Sequence, residues 1–164
     1  MSSCNRRSFL LGSSALAVAG CGFTPAYAPG GAATRLQNSI LVDEPKERED
    51  YLFTRRVEER LGRPSPADYA LSYSIAISEQ PIAISANNVI TRFNMLGTIT
   101  YALRDMTTEK VLTSGKVDSF TSYSAAGTTV ATQAARSDAE ERLMTILADQ
   151  MITRLTAEAD TLPA

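Results

Sequence analysis

The feature that most constrains this chain is strict alternation. Between Tyr69 and Ser78, apolar Tyr69, Leu71, Tyr73, Ile75 and Ile77 alternate with Ala70, Ser72, Ser74, Ala76 and Ser78. Successive side chains on a strand point to opposite sides, so this period of two predicts a strand with one buried face and one small, polar face. The pattern returns twice. Val89, Thr91, Phe93, Met95, Ile99, Tyr101 and Leu103 share one parity, and Gly97 falls on it as a candidate bend or bulge. In a further strand, Val111, Thr113, Val117 and Ser119 alternate with Leu112, Ser114, Lys116, Asp118 and Phe120. Asn87-Asn88 and the polar run 105–110 read as turns, so the last two strands should form an antiparallel hairpin. Pro81 is expected to interrupt the first of the three long strands.

Helical periodicity frames these strands. Across 44–61, acidic Glu44, Glu47, Glu49 and Asp50 lie at the front and Arg55, Arg56 and Arg60 at the rear, as the helix dipole favours. Phe53, Val57 and Leu61 make one apolar stripe, and Gly62 and Pro64 end the helix. A second helix runs from about Val130 or from Ser137 to Ala159. Ser137 and Glu140 have capping-box spacing, and Leu143, Ile146, Leu147, Met151, Ile152 and Leu155 build a broad apolar face. Ahead of both helices, Leu36, Ile40 and Val42 suggest a first strand within 35–43. The order is β-α-β-β-β-α. It predicts an α+β, two-layer sandwich, with two helices on one face of a four-stranded, mostly antiparallel or mixed sheet. The other face would carry Ser72, Ser74, Ser78, Arg92, Asn94, Thr98, Thr100, Arg104 and Lys116.

The N-terminus predicts export. Arg6-Arg7 is a positive n-region, and residues 9–19 form an apolar, small-residue stretch too short to span a bilayer as a lasting helix. It ends in Val18-Ala19-Gly20-Cys21, a close match to the lipobox of bacterial lipoproteins, in which the cysteine thiol receives a diacylglyceryl group. Residues 1–20 are therefore read as a signal peptide and Cys21 as the lipidation site. Residues 21–34 are read as an acylated tether, 35–160 as a single domain and 161–164 as a tail. The segment Asn5-Arg6-Arg7-Ser8-Phe9-Leu10 also resembles a twin-arginine signal, although Asn5 stands where Ser or Thr is usual, and an ordinary secretory signal reads equally well. Gly22 follows the cysteine; many bacteria use Asp there to retain a lipoprotein at the inner membrane, so by resemblance the outer membrane is the destination.

Composition narrows the chemistry. The chain has no histidine, and its two cysteines are Cys4 and Cys21, so zinc sites of His/Cys type and Ser-His-Asp or Cys-His catalysis are excluded. No cofactor motif or phosphate loop is present, and no enzyme activity is expected. Loss of Arg6 and Arg7 takes the 16 basic side chains to 14 against 18 acidic, a net charge of −4, which argues against nucleic acid as a partner. Glu58-Glu59 and Glu140-Glu141 read as solvated helix charges, and Tyr69, Tyr73 and Tyr101 as core. Arg92, Arg104 and Lys116 lie opposite the core parity on neighbouring strands. Two readings stay open: protection of strand edges, or a basic stripe suited to phosphorylated anions.

The run Cys21-Gly22-Phe23-Thr24-Pro25-Ala26-Tyr27 resembles the opening of lipopolysaccharide-assembly lipoproteins of the LptE family, in its alphaproteobacterial form. Arg92-Phe93-Asn94-Met95 through Leu103, Val111-Leu112-Thr113-Ser114-Gly115 and Leu147-Ala148-Asp149-Gln150-Met151 are similar to that family's central hairpin and closing helix. The resemblance implies an outer-membrane, periplasm-facing lipoprotein that plugs and helps assemble the β-barrel LptD, binds lipopolysaccharide, and has two helices on a four-stranded sheet. Arg92, Arg104 and Lys116 are the lipopolysaccharide candidates. The loop after Pro81, where relatives carry basic residues, reads Ile82-Ala83-Ile84-Ser85-Ala86-Asn87-Asn88 and has none. The competing function is a lipid- or small-ligand-binding auxiliary lipoprotein of another envelope transport system.

Overall fold

A computed structural model describes residues 31–162, so the signal segment, Cys21 and most of the expected tether lie outside the described residues. The elements are α1 (Ala32–Leu36), β1 (Ile40–Val42), α2 (Arg48–Leu61), β2 (Tyr69–Ile84), β3 (Ile90–Asp105), β4 (Val111–Ser124), α3 (Thr129–Glu158) and a 3₁₀ turn at Ala159–Thr161. Sheet order is β1-β2-β3-β4. β1 runs parallel to β2, and the three long strands are antiparallel, so the expected mixed sheet with helices on one face is what forms.

Three features of the elements depart from the sequence expectations. The strand expected within 35–43 shrinks to Ile40–Val42, because the chain first makes α1 and then turns at Asn38, whose φ of 57° lies in the left-handed region. The last residues assigned to the tether thus belong to α1. Leu36, expected on a strand, is instead a fully buried α1 residue. Second, α2 starts at Arg48 rather than Glu44. Glu44 precedes Pro45, a position that disfavours helical backbone, and the helix begins where Glu47 and Asp50 form a reciprocal capping box. The Asp50 carboxylate accepts from the Glu47 and Lys46 amides, each at 3.1 Å.

Third, Pro81 does not end β2. β1 covers only Tyr69 to Leu71, so the rest of β2 is an edge strand, where a missing N–H leaves no ladder bond unmade. The cost shows as a register shift between Pro81 and Ala83. Of the two expected starts for the last helix, the one near Val130 holds: α3 begins at Thr129, with the Thr128 hydroxyl accepting from the Ala131 amide at 3.3 Å. Ser137 is helix interior, so the expected Ser137–Glu140 box caps nothing. At the far end, Leu162 is buried and not part of a free tail.

Gly97 makes no bulge either. Its pairing with Ile77 and Ser119 is in unbroken register. It is buried, and a Cβ there would meet Leu147 Cδ1 at 2.8 Å and Leu143 Cδ2 at 2.9 Å. The glycine is what lets α3 approach the sheet closely.

The core lies in the single interface between the layers. Phe53, Val57 and Leu61 of α2 and Leu143, Leu147, Met151 and Leu155 of α3 meet Leu71, Ile99, Leu103 and Val117 of the sheet. Tyr69 and Tyr101 are buried with them. Ile146, expected on the apolar face of α3, is exposed, while Met144 and Ala148 take its place in the core. Ion pairs tie the helices together, namely Arg48–Glu140, Arg55–Glu141 and Arg56–Asp149. Glu140 and Glu141 are therefore bridging residues as well as surface ones.

Candidate functional site

With α2 and α3 on one side, the opposite face of the sheet is open. Its composition follows from the alternation. Every residue out of phase with the core points away from the helices, and most of these are short. Register sets them in rows: Ser72, Ala102 and Ser114; Ser74, Thr100 and Lys116; Ala76, Thr98 and Asp118; Ser78, Leu96 and Phe120; Gln80, Asn94 and Ser122. The result is a broad, shallow surface of hydroxyls and methyls. Within these five rows the large apolar side chain that stands well clear of the surface is Phe120, 63% exposed, opposite Leu96.

The three expected basic residues share this face but not one place. Arg92 and Arg104 sit near opposite ends of β3, twelve residues and so about 40 Å apart. Lys116 pairs with Thr100, four residues or about 13 Å from Arg104. They form a sparse line along the sheet, and Asp118 lies on the same face as Lys116. Among the described residues none of the three makes an ion pair. By contrast, Arg48, Arg55, Arg56, Arg60, Arg63, Arg136 and Arg142 on or beside the helices are all paired. The open-face cations are therefore free to meet an anion.

The edge-protection reading does not suit Arg92 or Arg104, since β3 is an interior strand. The β4 edge is guarded by residues the sequence did not single out. Arg154 Nη1 donates to the Lys116 carbonyl at 2.6 Å, and Arg142 Nη2 donates to the Ser122 carbonyl at 3.4 Å. Twelve helical residues rise about 18 Å and six strand residues about 20 Å, so two arginines on one helix face reach carbonyls at matching spacing along the edge. No single-sequence pattern announces this match of two rises.

At the end of the sheet where β4 finishes, a second polar group lies under the helices. Glu79 accepts from the Tyr123 hydroxyl at 3.0 Å and from Arg136 Nε at 2.6 Å. Burial raises the Tyr123 pKa, and the Glu79 carboxylate raises it further. The Glu79 pair likewise raises the Arg136 guanidinium. This arrangement ties β2, β4 and α3 together. Among the described residues there is no group of three or more His, Cys, Asp or Glu placed to hold a metal ion. Among them, too, no helix is long and apolar enough to cross a membrane.

Comparison with known proteins agrees with this architecture. A structure of a chain from Caulobacter crescentus described as a lipoprotein superposes with a TM-score of 0.66 at 23% identity, covering 79% of this chain and 97% of that one. Rare lipoprotein B from Shewanella oneidensis superposes with a TM-score of 0.56 at 13% identity, over 76% and 96% of the two chains. A minor lipoprotein from Acinetobacter baumannii gives 0.53 at 15% identity, over 78% and 96%. At these identities the likeness is one of fold. No curated protein matches by sequence. The model of the LptE family, described as lipopolysaccharide-assembly, matches residues 37–155, well over half of the 164-residue chain and all of its sheet. The chain belongs to the LptE family of lipopolysaccharide-assembly proteins.

Proposed function

We propose that this protein is an outer-membrane lipoprotein, acylated at Cys21, that serves the lipopolysaccharide translocon by seating its open sheet face inside the LptD β-barrel. The observation that carries the reading is the family match over a domain with one face sealed by helices and the other left open and built of short side chains. Such a face lets a second wall approach closely, and Phe120 supplies a bulky side chain to fix the docked position. The role is one of binding and support without catalysis; the lack of histidine and of any cysteine besides Cys4 and Cys21 supports this.

Lipopolysaccharide is the proposed ligand of Arg92, Arg104 and Lys116. Their free guanidinium and ammonium groups suit phosphate, and their spacing suits contact with several groups of a large anion better than one tight pocket. The deciding experiment is affinity purification of the tagged full-length protein from detergent-solubilised outer membranes. LptD is expected in the eluate, and recovery without any β-barrel partner would overturn the assignment. Cys21→Ala protein that still sediments with outer membranes would remove the lipid anchor.

A further inference from the structure

One end of the molecule is apolar in a way the fold does not require. From Pro81 to Thr91 there is no charged and no aromatic side chain. Within this stretch Ile82, Ile84, Val89 and Ile90 are 49%, 64%, 58% and 37% exposed. Val130, at the start of α3, is 81% exposed. The Ala125 amide bonds the Thr91 carbonyl at 2.9 Å, which keeps the approach to α3 beside the same hairpin end. Aliphatic side chains gathered at one end, clear of the core, mark a surface that something else covers.

We propose that this hairpin end, with Val130, dips into the hydrocarbon layer of a phospholipid bilayer. Three observations favour lipid over a protein partner. The segment lacks the Trp, Tyr and Arg anchors that carry most protein interfaces. The absence of charge between Glu79 and Arg92 removes the main cost of entering hydrocarbon. The turn also bonds part of its backbone internally: Ser85 N–H donates to the Val89 carbonyl at 2.8 Å, Asn88 N–H to the Ser85 carbonyl at 3.0 Å, and Val89 N–H to the Ser85 hydroxyl at 3.2 Å. Backbone groups bonded this way need no water. The polar apex, Asn87-Asn88, directs a side-on approach with the amides at headgroup depth.

The tether supplies the proximity, and this part rests on the acylation of Cys21 proposed above. α1 packs against the C-terminal end of α3 and the 3₁₀ turn, so the described chain begins at the end of the molecule opposite the tip. The sixteen residues of β2 span about 50 Å between these ends. Nine residues lie between Cys21 and Gly31, and the ten steps of chain reach at most about 35 Å. An anchor at one end keeps the bilayer at high effective concentration around the other, so a weakly partitioning tip engages it. The domain then lies along the membrane before it enters a barrel.

The chain has no tryptophan, so one introduced indole reports alone. Ile84→Trp is compared with Met106→Trp, in the opposite hairpin turn, using vesicles of phosphatidylcholine and of phosphatidylcholine with brominated acyl chains. Each is prepared both as acylated protein reconstituted in vesicles and as the mature chain with Cys21→Ser added to them. The expected result is a blue-shifted, bromine-quenched emission for Ile84→Trp in both preparations and a solvent-like emission for Met106→Trp in the unacylated one. Adding Ile82→Asp and Val89→Asp should cut vesicle partitioning of the unacylated chain at least tenfold. Solvent-like emission of Ile84→Trp in both preparations, or a shift seen only with lipopolysaccharide or a barrel partner, overturns the proposal. If Cys21 carries no lipid, the first preparation fails to reconstitute while the second still reads the tip.

Discussion

Gly97 lies directly beneath Leu147: a Cβ at this glycine would sit 2.8 Å from the leucine Cδ1. This is where α3 comes closest to the sheet, with Leu143 closing the other side. Gly97→Ala should therefore destabilise, by about 1–3 kcal/mol, although alanine is a better strand residue than glycine elsewhere. Denaturant midpoints of the two proteins check this. A neutral or stabilising result would show that the helix can shift without loss.

The contact between Arg56 and Asp149 is two-pronged, with Nε to Oδ1 at 3.0 Å and Nη2 to Oδ2 at 2.8 Å. Hydrogen bonding to Asp149 is the main reason that the guanidinium pKa is raised. Lysine keeps the charge and loses the fork, so Arg56→Lys should cost about 0.5–1.5 kcal/mol, close to the cost of Arg56→Gln. A double-mutant cycle with Asp149→Asn, repeated at high salt, separates the geometric part from the screened part.

Tyr73, Tyr101 and Tyr123 all have raised pKa values, with burial the first cause in each. A raised folded pKa means that the neutral phenol's contribution is complete below the unfolded value of about 10 and is lost as pH rises through the folded value. Stability should hold through mildly alkaline pH and then fall above about pH 10. Tyrosinate absorbance should rise together with unfolding. Ionisation of Tyr73, Tyr101 and Tyr123 at the unfolded value of about 10 while the protein stays folded would contradict the burial argument.

Arg92, Arg104 and Lys116 form no ion pair among the described residues, so replacing them with alanine should leave stability within about 0.5 kcal/mol of the parent. The triple variant is expected to bind lipopolysaccharide more weakly, with a smaller dependence on salt. Unchanged binding in this folded variant would restrict the three cations to a solubility role.

Phe120, exposed on the open face along its β4 edge, should matter only in the complex. Phe120→Ser is expected to fold normally and to reduce recovery of LptD with the tagged protein. Undiminished recovery would move the barrel contact away from this face.

Local chemistry alone determined a good deal. Period-two runs in β2, β3 and β4 and the stripe Phe53-Val57-Leu61, repeating every four residues, settle which faces are buried, because alternation and helical repeat leave one way to hide the apolar side. The open face and its cations were legible for the same reason. Tertiary structure decided what depends on a neighbour. Pro81 could stay in β2 only because β1 stops short and leaves that edge unpaired. Gly97 became a seat for α3 because two leucines arrive from fifty residues away. Arg142 and Arg154 guard the β4 edge because helix and strand rises happen to match across the layer. A sequence records each residue's own preferences, whereas edges, seats and spacings belong to pairs of elements and exist only once those elements have packed.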